Sequence, residues 1–302
     1  MTTPALDPRD RLMRLATYFS VAAGLTLIGV KLAAWMATGS VALLSTLVDS
    51  TIDAAASLLN LAAVRQALQP ADKDHRFGHG KAEPLAGLGQ AAFITGSACF
   101  LVSEASTRLF HPSPVSNPEI GIAVMAFSVV ITGVLVFFQR LVVKRTKSLA
   151  VDADKLHYTG DLLMNLSVIV SLLLSSRFDL PLADPLFALG IAGFLVYGAV
   201  VIAWRSLHLL MDHEFPETDR QQILAICRSH PAVLDIHDLR TRSAGLHSFI
   251  QLHLVLDAEI SLIKAHAISD EVEANIRAAF SFADVIIHQD PAGVNEPPPA
   301  VP

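Results

Sequence analysis

Residues 44–57 read Leu-Ser-Thr-Leu-Val-Asp-Ser-Thr-Ile-Asp-Ala-Ala-Ala-Ser, which sets two carboxylates, Asp49 and Asp53, inside a stretch otherwise suited to a membrane helix. An ionisable group at bilayer depth costs at least about 2.5–3.5 kcal/mol on insertion scales, so its default meaning is an ion or proton pathway. The whole chain fits that setting. Of its 302 residues, 52% are hydrophobic and 17% charged, with a mean hydropathy of +0.50, too apolar for an ordinary soluble protein of this length. Cys99 and Cys227 form no spaced pair, which argues against a disulfide framework or a thiolate metal site. The first apolar run lacks a small-residue cleavage site and is read as a retained helix, not a signal peptide.

Apolar runs of roughly 20 residues predict six transmembrane helices: Thr17–Met36, Val41–Val64, Pro84–Leu109, Ile120–Phe138, Leu156–Ser176 and Pro185–Trp204. The fourth and sixth are free of charge, whereas the second and fifth hold acidic or histidine residues in their interiors and are therefore the functional pair. Lys and Arg in the connections orient the bundle, because cytoplasmic loops are enriched in them. Arg9, Arg11 and Arg14 precede the first helix; Arg65, Lys73, Arg76 and Lys81 join the second to the third; Arg140, Lys144, Arg145 and Lys147 join the fourth to the fifth. The alternating connections are poor, with none in the first turn, Arg108 in the third and Arg177 in the fifth. Both termini are expected in the cytoplasm.

Past Trp204 the residues turn polar, and a cytosolic domain is expected from residue 210. Its pattern predicts a helix over 217–229, strands over 233–241 and 248–256, a helix over 262–280 and a strand over 284–289. In the second strand Ile250, Leu252, Leu254 and Leu256 share one face while Gln251, His253 and Val255 share the other. The αββαβ order implies a small α+β fold with a mixed sheet and both helices on one face. The expected organisation is a membrane domain over 1–209, a cytosolic domain over 210–291 and a disordered, proline-rich tail over 292–302.

Asp49 and Asp53 lie four apart on one helical face, and His157 and Asp161 repeat that spacing on the fifth helix. Entering from outside at Val41, Asp49 lies about 12 Å and Asp53 about 18 Å deep, at 1.5 Å per residue. Entering from the cytoplasm at Ser148, His157 lies about 13 Å and Asp161 about 20 Å deep. In a core of about 30 Å the two pairs meet near the midplane. Three carboxylates and an imidazole suit a tetrahedral divalent cation, Zn²⁺ first, with Mn²⁺, Fe²⁺ and Cd²⁺ also compatible with an oxygen-rich set. The bland alternative is hydrogen bonding between helices, as Ser45, Ser50, Thr51 and Asn165 can supply. Because ligands must be deprotonated, metal and protons compete for the same groups, and imidazole is the group best suited to titrate near neutrality.

In the loop over 70–83, Asp72, His75 and His79 offer a second cation site at the cytoplasmic surface, with Asp74 as a substitute ligand; a solvated polar loop is the plain alternative. In the cytosolic domain His237, His253, His266 and His288, with Asp290, lie on or beside strands or on the intervening helix. They offer ligands for one or two Zn²⁺ ions, with Asp290 able to bridge. His208, His213, His230 and His247 show how common histidine is in the background there.

These motifs together, Leu-Val-Asp-Ser-Thr-Ile-Asp, His-Arg-Phe-Gly-His-Gly-Lys-Ala-Glu, the His157–Asp161 pair and Asp-Val-Ile-Ile-His-Gln-Asp-Pro, resemble the cation diffusion facilitator family and its bacterial ferrous-iron and zinc efflux branch. The resemblance spans residues 11–290. It implies a homodimer in the lipid bilayer that exchanges Zn²⁺, with Cd²⁺ and Fe²⁺ as further candidates, for protons by alternating access. It also implies a transport site of Asp49, Asp53, His157 and Asp161, a loop site of Asp72, His75 and His79, and a binuclear site of His237, His253, His266, His288 and Asp290 in a metallochaperone-like domain. Lys81 and Asp212 are implied as a charged interlock near the dimer interface, although Lys81 equally suits a positive-inside anchor. Zn²⁺ is expected both as cargo and as a structural ion. Neither an organic cofactor nor a nucleic-acid partner is expected. A membrane metalloprotease is disfavoured, since no His-Glu-x-x-His helix is present, and a sensor without flux would not need the membrane quartet.

Overall fold

The computed structural model describes residues 7–39, 41–110, 118–178, 182–245 and 247–294. The side chains of Arg108 and Arg177, used above for orientation, lie outside the description, as does the expected disordered tail from residue 295 on. The chain divides into two compact units between Leu207 and His208.

The first unit is helical, with α1 (Pro8–Thr38), α2 (Val41–Ala67), α3 (Ala82–Phe110), α4 (Pro118–Thr146), α5 (Leu149–Phe178) and α6 (Ala183–Leu210), whose last turn crosses into the second unit. The helices outrun the predicted apolar spans because charged turns continue them beyond the hydrocarbon-length core. In α1 that extension carries Arg9, Arg11 and Arg14. It begins at Asp7, whose side chain accepts from the Arg9 amide at 2.7 Å, with Pro8 at the first helical position, where its missing N–H costs nothing. It stops at Gly39, whose φ of 63° closes the left-handed cap. By length and composition α1, α2, α3, α4 and α6 can each cross a membrane. Among the described residues α5 is not one of these five. Its first turns carry Asp152, Asp154, Lys155 and Asp161, which confines its apolar stretch to the C-terminal part.

Helix α1 packs on α2 and α4, α5 on α4 and α3, and α2 on α3. Small residues permit close approach where helices meet. At α5–α6, Gly160 accommodates Leu195 and Gly198 accommodates Leu156; a Cβ added to either glycine would stand 2.7 or 2.5 Å from the facing leucine methyl. Polar side chains link other pairs. Tyr158 of α5, 1% exposed, shares a 2.9 Å hydrogen bond with Ser57 of α2 and donates to the Ser20 carbonyl of α1. Asp154 accepts from Ser20 at 2.5 Å and from Gln139 of α4 at 2.7 Å, all three buried.

The second unit holds α7 (Glu217–Arg228), β1 (Asp235–Ala244), β2 (His247–Leu256), α8 (Leu262–Ala279) and β3 (Ala283–Pro291). The sheet order is β1-β2-β3, with β1–β2 antiparallel and β2–β3 parallel. The β1–β2 hairpin turns at Gly245, whose φ of 63° favours glycine, so β1 runs to Ala244 and not to Thr241 as its pattern suggested. The even-numbered β2 residues Ile250, Leu252, Leu254 and Leu256 join Ile223 and Cys227 of α7 and Ile268, Val272 and Ile276 of α8 in one core. The odd-numbered face of β2 is left for His253.

Candidate metal sites

In the membrane unit, helical spacing aims Asp53 of α2 at α5, where His157 and Asp161 stand one turn apart. The His157 Nε2 atom lies 3.1 Å from Asp53 Oδ1 and 3.9 Å from Asp161 Oδ2. One ligand atom from each residue falls within 4.8 Å of the others, a spread that one cation can span. His157 is buried, and Asp53 and Asp161 are half-buried. The depth arithmetic sets Asp53 opposite His157, and these two residues are in contact. Asp49 is exposed on α2 and lies outside this cluster of three. An i, i+4 pair shares a face, but the crossing of α2 over α5 selects which member meets the partner. Asn165 donates to the Asp161 carbonyl at 2.9 Å, within α5.

Two groups beside this cluster escaped sequence reasoning. Lys31 of α1 donates to Ser50 Oγ at 2.6 Å and to the Thr46 carbonyl at 3.2 Å. Asp154 anchors the buried Ser20–Gln139 network one turn before His157. Lys31 had a signal available, being the one charge between Arg14 and Asp49. Gln139 had none, since a single glutamine at the end of an apolar run resembles many surface residues.

The loop site is assembled by Asp72. Its Oδ1 accepts the backbone amides of His75 at 2.6 Å and Asp74 at 2.9 Å, and lies 3.3 Å from His75 Nδ1. Its Oδ2 lies 3.4 Å from His79 Nε2, and the two imidazole rings are 4.4 Å apart. The amide of His75 is the main cause that holds the Asp72 carboxyl below its usual range. Asp74 thus contributes through its backbone. Lys81 stands two residues after His79, directly before α3. Asp212 Oδ1 lies 3.5 Å from Arg242 Nη1.

In the sheet unit, strand register aligns His237 with His253 and His253 with His288, one histidine per strand. Neighbouring rings lie 4.9 and 4.6 Å apart. Asp290 joins all three: its Oδ2 is 2.8 Å from His253 Nδ1 and 3.0 Å from His237 Nε2, and its Oδ1 is 3.1 Å from His288 Nε2. Burial opposes ionisation of Asp290, but the His253 hydrogen bond and the neighbouring imidazoles outweigh it and leave its pKa below the usual carboxylate range. A buried carboxylate encircled by three imidazoles suits Zn²⁺ in ligand type and in convergence. A bulge between His237 and Arg240 places Asp238 at φ 49°, and its Oδ2 lies 3.8 Å from His253 Nε2. Asp238 is a second carboxylate that strand periodicity did not reveal. His266 lies on α8 and is exposed; its Nε2 is 3.5 Å from Asp270 Oδ2, and it is not part of the His237–His253–Asp290 cluster.

A bundle of long apolar helices with a carboxylate–imidazole cluster between two of them, joined to a small histidine-bearing α/β unit, has the features of a membrane cation carrier. The chain belongs to the cation efflux family, the cation diffusion facilitators: residues 17–211 match its "Cation efflux transmembrane domain" and residues 215–292 its "Cation efflux protein, cytoplasmic domain". It is 47% identical to the cation-efflux pump FieF of Shewanella oneidensis over 285 residues, covering 94% of this chain and 96% of that one. It is 45% identical to the same pump of Salmonella arizonae over 284 residues, covering 94% of each. The chain is thus a multi-pass membrane transporter and not an enzyme.

Proposed function

We propose that the protein exports Zn²⁺, with Cd²⁺ and Fe²⁺ as further cargo, from the cytoplasm in exchange for protons by alternating access. The observation that carries this reading is the convergence of Asp53, His157 and Asp161 from two helices, with Asp49 one turn away to complete the set on rearrangement. Coordination of a dication by these groups and their protonation are mutually exclusive, so loading on one side releases protons and protonation on the other expels metal. The His157 imidazole can hold either the metal or a proton at the same nitrogen, which suits that exchange.

The reading includes six membrane spans, with α5 completed by the partners that cover its charged first turns, and cytoplasmic termini in a bacterial inner membrane. The domain limits are 1–209 and 210–291. Asp72, His75 and His79 form a cytoplasmic entry site. His237, His253, His288 and Asp290, with His266 recruited, hold structural Zn²⁺ that stabilises a homodimer. The relatives named as cation-efflux pumps support the direction of flux.

Proteoliposomes containing the protein, given an inward zinc gradient and an opposed proton gradient, are expected to take up Zn²⁺ and to move protons the other way. The Asp53→Ala variant should lose both fluxes. Parental zinc flux in that variant would overturn the reading.

A further inference from the structure

Lys31 is the one charge in the 34 residues between Arg14 and Asp49. An ammonium at this depth is as costly as a carboxylate and calls for a named partner. Its hydrogen-bond partners, Ser50 Oγ and the Thr46 carbonyl, both belong to α2. Thr46, Ser50 and Asp53 stand at i, i+4 and i+7, so they line one stripe of that helix. The ammonium is therefore tethered between points about 4.5 and 10.5 Å along α2 from Asp53, at 1.5 Å per residue. Its charge interacts with Asp161 and Asp53, and also with Asp49.

If α1 and α2 needed only to be tied together, a serine or asparagine would do so with less desolvation. A positive charge held beside Asp53 along α2 does something a neutral donor cannot: it offsets the negative charge of the metal site. We infer that Lys31 is a tethered counter-cation of the transport site, which lowers the affinity for a dication enough to allow its release. With the site empty, the ammonium shares the field of Asp53 and Asp161. A bound dication is repelled by the same ammonium, which its hydrogen bonds to Ser50 and Thr46 hold in place. A carrier must bind its cargo tightly enough to select it and weakly enough to let it go, and a fixed charge beside the site sets that balance.

This inference rests on Asp53, His157 and Asp161 being the metal site. It predicts a sign that a structural role cannot produce, since losing a helix clamp should loosen the site and weaken metal binding. Full-length protein in detergent is titrated with Zn²⁺ against a chromophoric chelator, with the loop site removed by Asp72→Ala and the cytosolic site by Asp290→Asn. Lys31→Gln keeps a hydrogen-bond donor without the charge, Lys31→Met removes both, and Lys31→Arg keeps the charge. Lys31→Gln and Lys31→Met are expected to bind Zn²⁺ at least about tenfold more tightly, and Lys31→Arg to match the parent. In proteoliposomes the two neutral variants should show a lower KM and slower maximal flux. If Lys31→Met fails to fold, Lys31→Gln decides alone. Unchanged or weaker binding by Lys31→Gln, where Asp53→Ala does abolish the measured site, overturns the counter-cation inference and leaves the transport reading standing. Binding insensitive to Asp53→Ala overturns both.

Discussion

Replacing Asp290 with asparagine separates a metal ligand from a packing residue in the sheet unit. Three imidazole contacts converge on this carboxylate, and charge-assisted hydrogen bonds contribute about 1.5–3 kcal/mol each when buried. Their sum overstates the loss, because His237 and His288 are 46% and 61% exposed and water can replace the acceptor. Only His253, 27% exposed, loses a partner that water does not readily supply. The metal-free protein should therefore lose about 1–2 kcal/mol. Zinc binding should suffer more. Removing a group that merely orients a ligand costs 10–100-fold in affinity, so loss of the anionic hub itself should cost at least about 100-fold, about 2.7 kcal/mol. The sign with pH follows from the depressed pKa. The Asp290 contribution is fully present above the unfolded carboxylate value and is lost as pH falls through its lower folded value. The parent but not Asp290→Asn should thus lose this increment in strong acid. The assay pairs zinc competition with thermal melting of metal-free, full-length protein in an Asp53→Ala background. Unchanged zinc affinity with a loss of several kcal/mol in metal-free stability would refute the reasoning and make Asp290 a structural residue.

Two further outcomes probe the membrane unit. Asp154→Leu removes the acceptor that Ser20 and Gln139 share, leaving Ser20 the Ala16 carbonyl and Gln139 the Ser20 hydroxyl, and should lower stability by about 1–2 kcal/mol, whereas Asp154→Asn keeps an acceptor and should lose less than half of that; equal melting of the two in detergent would remove hydrogen bonding as the cause. Gly160→Ala should destabilise by about 1–3 kcal/mol through overpacking against Leu195, more than Gly198→Ala, because Leu195 is buried while Leu156 is half-exposed and can swing aside. In a Leu195→Ala background Gly160→Ala should cost less than it does in the parent, and an equal drop in melting temperature in both backgrounds would contradict the close-packing account.

Features set by chain-local regularity were legible before any coordinates. A constant rise per residue sufficed to place Asp53 level with His157. Period-two alternation sufficed to assign Ile250, Leu252 and Leu254 to the core and His253 to the opposite face. Short-range confinement sufficed to group Asp72, His75 and His79. Other choices depended on how elements meet, which no local period encodes. The crossing of α2 and α5 brought Asp53 into the cluster and left Asp49 outside it. Strand register put His237, His253 and His288 in one row around Asp290, while the way α8 packs left His266 outside that row, beside Asp270 of its own helix. Packing of α1 along α2 delivered Lys31 to Ser50, within one helical turn of Asp53. Spacing fixes the face a residue occupies, whereas its partner depends on crossing angle and register, and these are settled by the packing of the whole unit.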